Sequence, residues 1–130
     1  MKILIAEDDF LTGQIYSTCF KKAGHEVELV ANGLAVAEKI LTFQPDGVVL
    51  DIMMPGMNGL DALRQIRATP SGQSLPVMVV TNAFIPQLVE NAKSAGATWV
   101  FSKLSLTPSQ LTDAFRLAVP ATKAAASPAG

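Results

Sequence analysis

Gly47-Val48-Val49-Leu50-Asp51-Ile52-Met53-Met54-Pro55-Gly56-Met57-Asn58-Gly59 joins an uninterrupted apolar run to one carboxylate and then to a loop rich in glycine and proline. A run of this kind predicts a strand that is buried on both faces, as in a parallel sheet covered by helices. Pro55-Gly56 and Asn58-Gly59 predict tight turns, because proline fixes φ and glycine and asparagine tolerate positive φ. Asp51 is therefore expected at the carboxyl end of a buried strand, where open α/β sheets bind ligands. Taken alone, the same carboxylate could simply cap the loop.

Length and composition favour a single globular domain. The chain has 130 residues, of which 49% are hydrophobic and 16% charged, enough to form a core without metals or disulfides. Ten basic and eleven acidic residues give a net charge of −1, which argues against a nucleic-acid or anionic-membrane surface. There is one cysteine, and no apolar run reaches the roughly 18 residues of a membrane helix. We expect a soluble, cytoplasmic domain.

Short apolar runs alternate with segments of helical periodicity five times along the chain. Strands are predicted over residues 2–6, 25–30, 47–50, 76–80 and 98–101. Helices are predicted over 10–22, 34–43 and 85–95, with one more starting near 60 and another at 107. Residues 69–74 are predicted as a surface loop, and residues 120–130 as a disordered tail or linker. The alternation predicts right-handed crossovers and a parallel sheet with helices on both faces.

Two finer predictions concern the first half of the chain. Leu11, Ile15 and Cys19 recur at intervals of four, which predicts that they form the buried face of the first helix. Cys19 would then be a small buried hydrophobe, not a nucleophile. The second strand alternates acidic and apolar residues over 26–29, so we expect it near an edge of the sheet.

Polar side chains stand at the carboxyl ends of four predicted strands, namely Glu7-Asp8-Asp9, Asp51, Thr81 and Lys103. These ends share one edge of a parallel sheet, so the side chains are expected to converge. Clustered carboxylates repel one another, and a divalent cation relieves that repulsion. Ligands that are all oxygen point to a hard ion and favour Mg²⁺. A metal, a hydroxyl and an ammonium around one carboxylate would stabilise a transferred phosphoryl group, with Asp51 as the nucleophile.

Over residues 1–119 the chain resembles the receiver domain of bacterial two-component response regulators. The resemblance rests on Ile5-Ala6-Glu7-Asp8-Asp9, on the stretch from Val49 to Gly59, on Thr81 and on Lys103. It implies a flavodoxin-like, doubly wound sheet of five parallel strands in the order 2-1-3-4-5, with helices on both faces.

The resemblance also implies a phosphoacceptor switch. Asp51 would accept a phosphoryl group from a histidine kinase or a phosphotransfer protein in a Mg²⁺-dependent reaction. Thr81 would contact that group and couple it to the surface, and Lys103 would pair with it. Phosphorylation would then change the binding of a downstream protein target.

The same resemblance assigns the metal ligands. Asp8 and Asp51 would ligate Mg²⁺ together with the backbone carbonyl of Met53. Glu7 would complete the acidic pair and act through water. Asp9 falls outside the pair, and we expect it to cap the first helix.

Three positions depart from the family pattern and bear on how the switch works. Leu104 follows the lysine where the family has proline, and we predict a trans peptide bond there because a cis bond before leucine is costly. Val100 stands at the usual position of the switch aromatic, between Trp99 and Phe101. Any conformational change on phosphorylation would then involve the rings of Trp99 and Phe101 or a shift of the backbone. Asn82 follows the threonine, where alanine or glycine is usual, and would narrow the entrance for the phosphoryl group.

The phosphorylated form is predicted to decay slowly. Hydrolysis needs a water in line with the breaking bond, and the side chains two after Asp51 and two after Thr81 flank its approach. Here they are Met53 and Ala83, neither of which can orient a water by accepting a hydrogen bond.

Other functions fit the same fold less well. An interaction module that no longer uses phosphate is the main alternative. A hydrolase with an aspartyl-phosphate intermediate would need an acid where Met53 stands, and a flavin carrier would need a phosphate loop where the first acidic run stands. We therefore expect a switch that is not a turnover enzyme, a monomer or weak dimer, with no direct binding to nucleic acid or membrane.

Overall fold

Strands and helices alternate strictly along the chain. The computed structural model describes residues 1–54, 58–82 and 85–118. The strands are β1 (Lys2–Ala6), β2 (Glu26–Val30), β3 (Gly47–Asp51), β4 (Val77–Thr81) and β5 (Trp99–Ser102). The helices are α1 (Phe10–Lys22), α2 (Leu34–Phe43), α3 (Gly59–Ala68), α4 (Pro86–Ser94) and α5 (Pro108–Ala118). The predicted elements are confirmed, with ends that differ by a residue or two.

One predicted loop was wrong in part, and two other predictions concern residues that the structure does not describe. Residues Pro70–Gly72, expected to be irregular, form a short 3₁₀ helix. Proline at its first position fixes φ in the range that such a turn needs. The turn predicted at Pro55-Gly56 and the tail predicted at 120–130 lie outside the described residues.

All five strands pair in parallel in the order β2-β1-β3-β4-β5, as predicted. Every residue of β3 and β4 is buried, in agreement with their continuous apolar sequences. The half-exposed β2 lies at an edge of the sheet. None of the described helices is long and apolar enough to cross a membrane.

The sheet separates two cores. One core packs β-strand side chains against α2, α3 and α4, and the other packs them against α1 and α5. In the second core the rings of Phe20 and Phe115 meet edge to face, with centroids 5.4 Å apart. Phe115 also covers Gly47, where a Cβ atom would lie 2.2 Å from the ring. Glycine at the start of β3 is therefore what lets α5 lie close to the sheet.

The predicted buried face of α1 was wrong. Leu11 and Ile15 are 69% and 55% exposed, and Cys19 is only half-buried. Tyr16 and Phe20 face the sheet instead, with 4% and 0% exposure. These two rings are four residues apart and fill the space between helix and sheet, which turns the Leu11–Cys19 stripe toward solvent.

Arg67, near the end of α3, holds two connections together through backbone carbonyls, namely the segment before β4 and the turn before β5. Its Nε and Nη2 donate to the carbonyl of Gly96 at 3.0 and 2.7 Å. Its Nη1 donates to the carbonyls of Gly72 and Leu75 at 2.7 and 2.6 Å. Gly96, at φ 105°, lies so close that a Cβ atom there would be 2.9 Å from the arginine Nε. The planar guanidinium suits several acceptors at fixed angles.

Candidate functional site

The strand register brings the predicted site residues to one edge of the sheet. Ala6 pairs with Leu50, so Glu7 and Asp51 end neighbouring strands at the same level. Thr81 pairs with Ser102, and Lys103 follows directly. The edge opens into a cavity of about 400 Å³, lined by Glu7, Asp8, Asp9, Thr12, Tyr16, Asp51, Met53, Asn82 and Lys103. Thr81 is fully buried beside this cavity, and its carbonyl accepts a hydrogen bond from the Lys103 amide at 2.9 Å.

Lys103 bridges two acidic side chains. Its Nζ lies 2.9 and 2.8 Å from the two Oε atoms of Glu7 and 3.2 Å from Oδ2 of Asp51. The three side chains are between 1% and 12% exposed. Ion pairs with so little exposure are weakly screened by solvent, so the three groups behave as one electrostatic unit.

Burial shifts the pKa values within this unit. Burial, together with the charge of Asp51, raises the pKa of Glu7 to about 7 against the opposing effect of Lys103. Burial also raises the pKa of Asp51, although Lys103 and the Met53 amide act in the other direction. Burial alone would lower the pKa of the Lys103 ammonium, but its hydrogen bond to Glu7 and the charge of Asp51 raise it overall. A buried carboxylate without enough positive charge nearby holds its proton more tightly.

The loop after β3 fixes the Asp51 carboxylate from the other side. The Met53 amide donates to Oδ1 of Asp51 at 3.1 Å. The amide of Gly59 donates to the carbonyl of Ile52 at 2.8 Å, and this glycine packs directly on the strand end. A Cβ atom on Gly59 would lie 2.5 Å from both the Asp51 carbonyl oxygen and the Ile52 Cα. The first turn of α3 therefore sets the backbone position of the carboxylate.

A cluster of oxygen atoms in the cavity fits a hard cation. Glu7, Asp8 and Asp51 each offer a carboxylate oxygen, and these atoms lie within 4.8 Å of one another. When all three carboxylates are ionised, they leave an excess of two negative charges beside the single ammonium, which a divalent ion balances. Asp9 is used elsewhere, because its side chain caps α1 by accepting hydrogen bonds from the amide and hydroxyl of Thr12. The predicted cap at Asp9 is confirmed.

Comparison with known proteins identifies the fold and the family. The family model of the response regulator receiver domain matches residues 3–116. The chain belongs to the receiver domain family. Receiver domains are phosphoacceptor signalling modules, and the resemblance inferred from the sequence is confirmed.

Solved receiver structures superpose closely on this one. The BeF3-activated N-terminal receiver domain of RstA from Klebsiella pneumoniae has a TM-score of 0.84 at 28% identity, covering 92% of this chain and 98% of that one. The chemotaxis response regulator CheY4 of Vibrio cholerae has a TM-score of 0.83 at 26% identity, covering 90% and 97%. The flavodoxin-like order of strands expected from the resemblance is confirmed.

The curated relatives are much longer proteins. The response regulator MprA of Mycobacterium avium is 37% identical over 81 residues, which make up 62% of this chain and 35% of that protein. The sensory/regulatory protein RpfC of Xanthomonas campestris is 32% identical over 131 residues, covering 99% of this chain but 18% of that protein. This receiver domain thus spans about a third or less of the relatives it matches.

The structure also shows how the positions that depart from the family pattern are arranged. All described peptide bonds are trans, including that between Lys103 and Leu104, which confirms the prediction. Val100 packs on the core beside α3 and α4, whereas Phe101 packs on the core beside α1 and α5. Trp99 and Phe101 meet edge to face at 5.9 Å. Side chains alternate between the faces of a strand, so both rings lie across the sheet from Val100.

Two cavity residues were missed from the sequence. Thr12 and Tyr16 line the cavity one helical turn apart on α1. Their spacing of four residues after an acidic run was a usable signal, since residues four apart share a helix face. The apolar spacing of Leu11, Ile15 and Cys19 is more regular, and it indicated a different face of the helix.

Proposed function

We propose that this receiver domain accepts a phosphoryl group on Asp51 in a Mg²⁺-dependent reaction and thereby switches the binding of a protein partner. The observation that carries the proposal is the position of Asp51. Its carboxylate is 3% exposed at the strand end, 3.2 Å from the Lys103 ammonium and within reach of two further carboxylates. We regard the domain as a switch that takes up one phosphoryl group and later loses it by hydrolysis, not as a turnover enzyme.

Each neighbouring group has a role in the proposed transfer. An oxygen of Asp51 attacks phosphorus, and the bond from phosphorus to the donor breaks with its electron pair leaving on the donor. The Met53 amide, 3.1 Å from Oδ1, holds the carboxylate in one orientation. Lys103 neutralises charge on the phosphoryl oxygens without reorganising, because Glu7 already holds its ammonium. Thr81, at the end of β4, would contact the phosphoryl group.

Asp8, Asp51 and the carbonyl of Met53 would hold Mg²⁺, with Glu7 acting through water. When bound, the ion supplies positive charge to the phosphoryl oxygens. The cluster of three carboxylate oxygens within 4.8 Å supports this assignment. Asp8 is exposed, lines the cavity and takes no part in the ion pairs of Lys103.

The proposed donor is a histidine kinase or a phosphotransfer protein, and the proposed target is another protein. Apolar side chains at the surface of α1 support a protein donor, since Phe10 and Leu11 are 70% and 69% exposed. They stand beside Asp9 and Thr12 at the mouth of the cavity, where a donor must approach. We also propose a cytoplasmic location, because the phosphoryl group carried by such donors comes from ATP. Direct binding to nucleic acid is not part of it, and we expect a monomer or weak dimer.

Intact mass spectrometry tests the proposal directly. Wild-type protein incubated with Mg²⁺ and acetyl phosphate should gain one phosphoryl group, and chelation of Mg²⁺ should prevent the gain. Asp51→Asn should gain nothing, and Asp8→Ala should need more Mg²⁺. The matched control is Asp61→Asn, which removes an exposed carboxylate paired with Arg64 and should react like wild type. A gain that persists in Asp51→Asn would refute the assignment, and no gain in wild type would favour a phosphorylation-independent interaction module.

A further inference from the structure

The turn that follows β1 carries three acidic residues, and hydrogen bonds fix it at both ends. The amide of Glu7 donates to the carbonyl of Val30, at the end of β2, at 3.0 Å. The carbonyl of Asp9 accepts from the amide of Gly13 at 2.9 Å, which is the first backbone hydrogen bond of α1. Asp8 lies between these two fixed residues, so its backbone is held from both sides.

The backbone amide of Asp9 is joined to the ion pair of Lys103. This amide donates to Oε1 of Glu7 at 3.3 Å. The same oxygen accepts from the Lys103 ammonium at 2.9 Å. A displacement of the Asp9 backbone would therefore move a hydrogen-bond donor away from the carboxylate that anchors the lysine.

The side chain of Asp9 fixes this backbone. Its Oδ2 accepts from the amide of Thr12 at 3.3 Å and also from the Thr12 hydroxyl. A cap of this kind ties the turn to the helix, because it satisfies an amide that has no acceptor within the first turn of α1. Asp9 is exposed, so solvent screens its charge. Its hydrogen bonds are therefore its main contribution to the site.

We propose that Asp9 is a positioning residue for Glu7 and Asp8: its cap on α1 fixes the turn so that both carboxylates face the cavity. Glu7 and Asp8 line the cavity with Asp51, and one carboxylate oxygen of each lies within 4.8 Å of the others. The consequence for Mg²⁺ binding and phosphorylation rests on the function proposed above, whereas the effect on the contact with Glu7 does not.

Amide hydrogen exchange tests the contact with Glu7 without metal or phosphodonor. In ¹⁵N-labelled wild type, the amide of residue 9 should be protected relative to an unfolded peptide of the same sequence. Asp9→Ala, which cannot cap the helix, should reduce this protection about threefold or more. Asp9→Asn should keep most of it, because asparagine caps a helix about as well as aspartate. Thr12→Val, which removes one donor and leaves the charge, should give an intermediate value.

Mg²⁺ binding, measured by calorimetry without a phosphodonor, supplies the second measurement. Asp9→Ala should weaken binding about threefold to tenfold, as expected for the loss of one cap, and Asp9→Asn should restore most of the affinity. The matched control is Thr107→Ala. Thr107 caps α5 by accepting from the amide of Gln110 at 3.1 Å, and it is not among the described residues that line the cavity. This variant should bind Mg²⁺ like wild type.

Three outcomes would overturn the inference. Wild-type protection and affinity in Asp9→Ala would show that the cap is dispensable. An equal loss in Asp9→Asn would assign the effect to the charge, and an equal loss in Thr107→Ala would assign it to a general loss of stability. The proposed function fails separately, since wild type that binds Mg²⁺ but gains no phosphoryl group would refute phosphorylation and leave the positioning role intact. If wild type binds no Mg²⁺, the protection of the amide at residue 9 still decides whether Asp9 positions Glu7.

Discussion

The ammonium of Lys103 lies closer to both carboxylate oxygens of Glu7, at 2.9 and 2.8 Å, than to Oδ2 of Asp51, at 3.2 Å. The lysine is therefore anchored on Glu7, directly after β1, and reaches toward Asp51 at the end of β3. Glu7 in turn is almost completely buried, and its pKa is about 7. The anchor of the lysine thus ionises in the neutral pH range.

In the absence of a metal, we expect the free energy of unfolding to fall as the pH rises from about 4.5 to about 7. The pKa of Glu7 is raised from 4.5 to about 7 in the folded protein. The folded state then binds more protons than the unfolded state over this interval, so stability is lost as pH increases. A shift of this size corresponds to about 3 kcal/mol at most, and the raised pKa of Asp51 acts in the same direction.

Chemical denaturation at a series of pH values measures this slope. Mg²⁺ should reduce it, because binding to the ionised carboxylates stabilises the folded state. Glu7→Gln, which cannot ionise at this position, should flatten the slope in metal-free buffer. An equally steep slope in Glu7→Gln would show that another group is responsible.

Gly59→Ala should damage both stability and phosphorylation. Its Cβ would lie 2.5 Å from two backbone atoms of the Asp51-Ile52 segment, so the strand end must shift. We expect a loss of about 1–3 kcal/mol, as for other overpacked sites. Phosphorylation should slow by about tenfold to a hundredfold, because the nucleophile is displaced. Gly33→Ala is the control, since Gly33 has an ordinary φ of −69°. Similar losses in both variants would argue against a specific contact at Gly59.

Met53→Asn should shorten the lifetime of the phosphorylated form. Met53 is 62% exposed and lines the cavity, but its side chain cannot orient a water for attack. An amide at this position should speed the loss of phosphate by about threefold to tenfold, the effect of one added hydrogen bond. The rate is measured after removal of the phosphodonor. Met53→Leu, which adds no polar group, should decay like wild type. The second flanking position expected from the sequence, Ala83, lies outside the described residues.

Arg67→Ala should destabilise the fold more than its surface location suggests. The guanidinium donates four hydrogen bonds to three carbonyls, and its loss leaves them without these partners. We expect a cost of about 2–4 kcal/mol in urea denaturation. Arg67→Lys should be intermediate, because one ammonium cannot replace the planar fork. Arg64→Ala, on the same helix but with an exposed ion pair, should cost no more than about 0.5 kcal/mol. Equal costs at the two positions would show that the carbonyl contacts contribute little.

Much of the fold could be predicted because strand and helix periodicities alternate clearly and β3 and β4 are apolar throughout. The buried face of α1 could not, because Leu11-Ile15 and Tyr16-Phe20 have the same four-residue spacing. Only packing against the sheet selects between them, and it selects the larger rings. The hydrogen bonds of Arg67 could not be predicted either, because their acceptors are backbone carbonyls, which every residue has.

The candidate site likewise has features that the sequence predicts and features that it does not. That Glu7, Asp51 and Lys103 would converge follows from their places at strand ends and from the rule that such ends share an edge. Which acid holds the lysine does not follow, because both carboxylates look alike in the sequence. Depth below the surface and the exact reach of the side chain decide it, and these emerge only from the folded chain.

The contact between Gly47 and Phe115 couples the side-chain volumes that two positions far apart in the sequence can accept. Because a Cβ atom at position 47 would meet the phenylalanine ring at 2.2 Å, a larger residue there requires a smaller one at 115. Either substitution alone creates a clash or a void, and the pair together restores the packing. Across homologous chains the two positions should therefore vary together, and a mutational library that samples them singly would miss the allowed combinations.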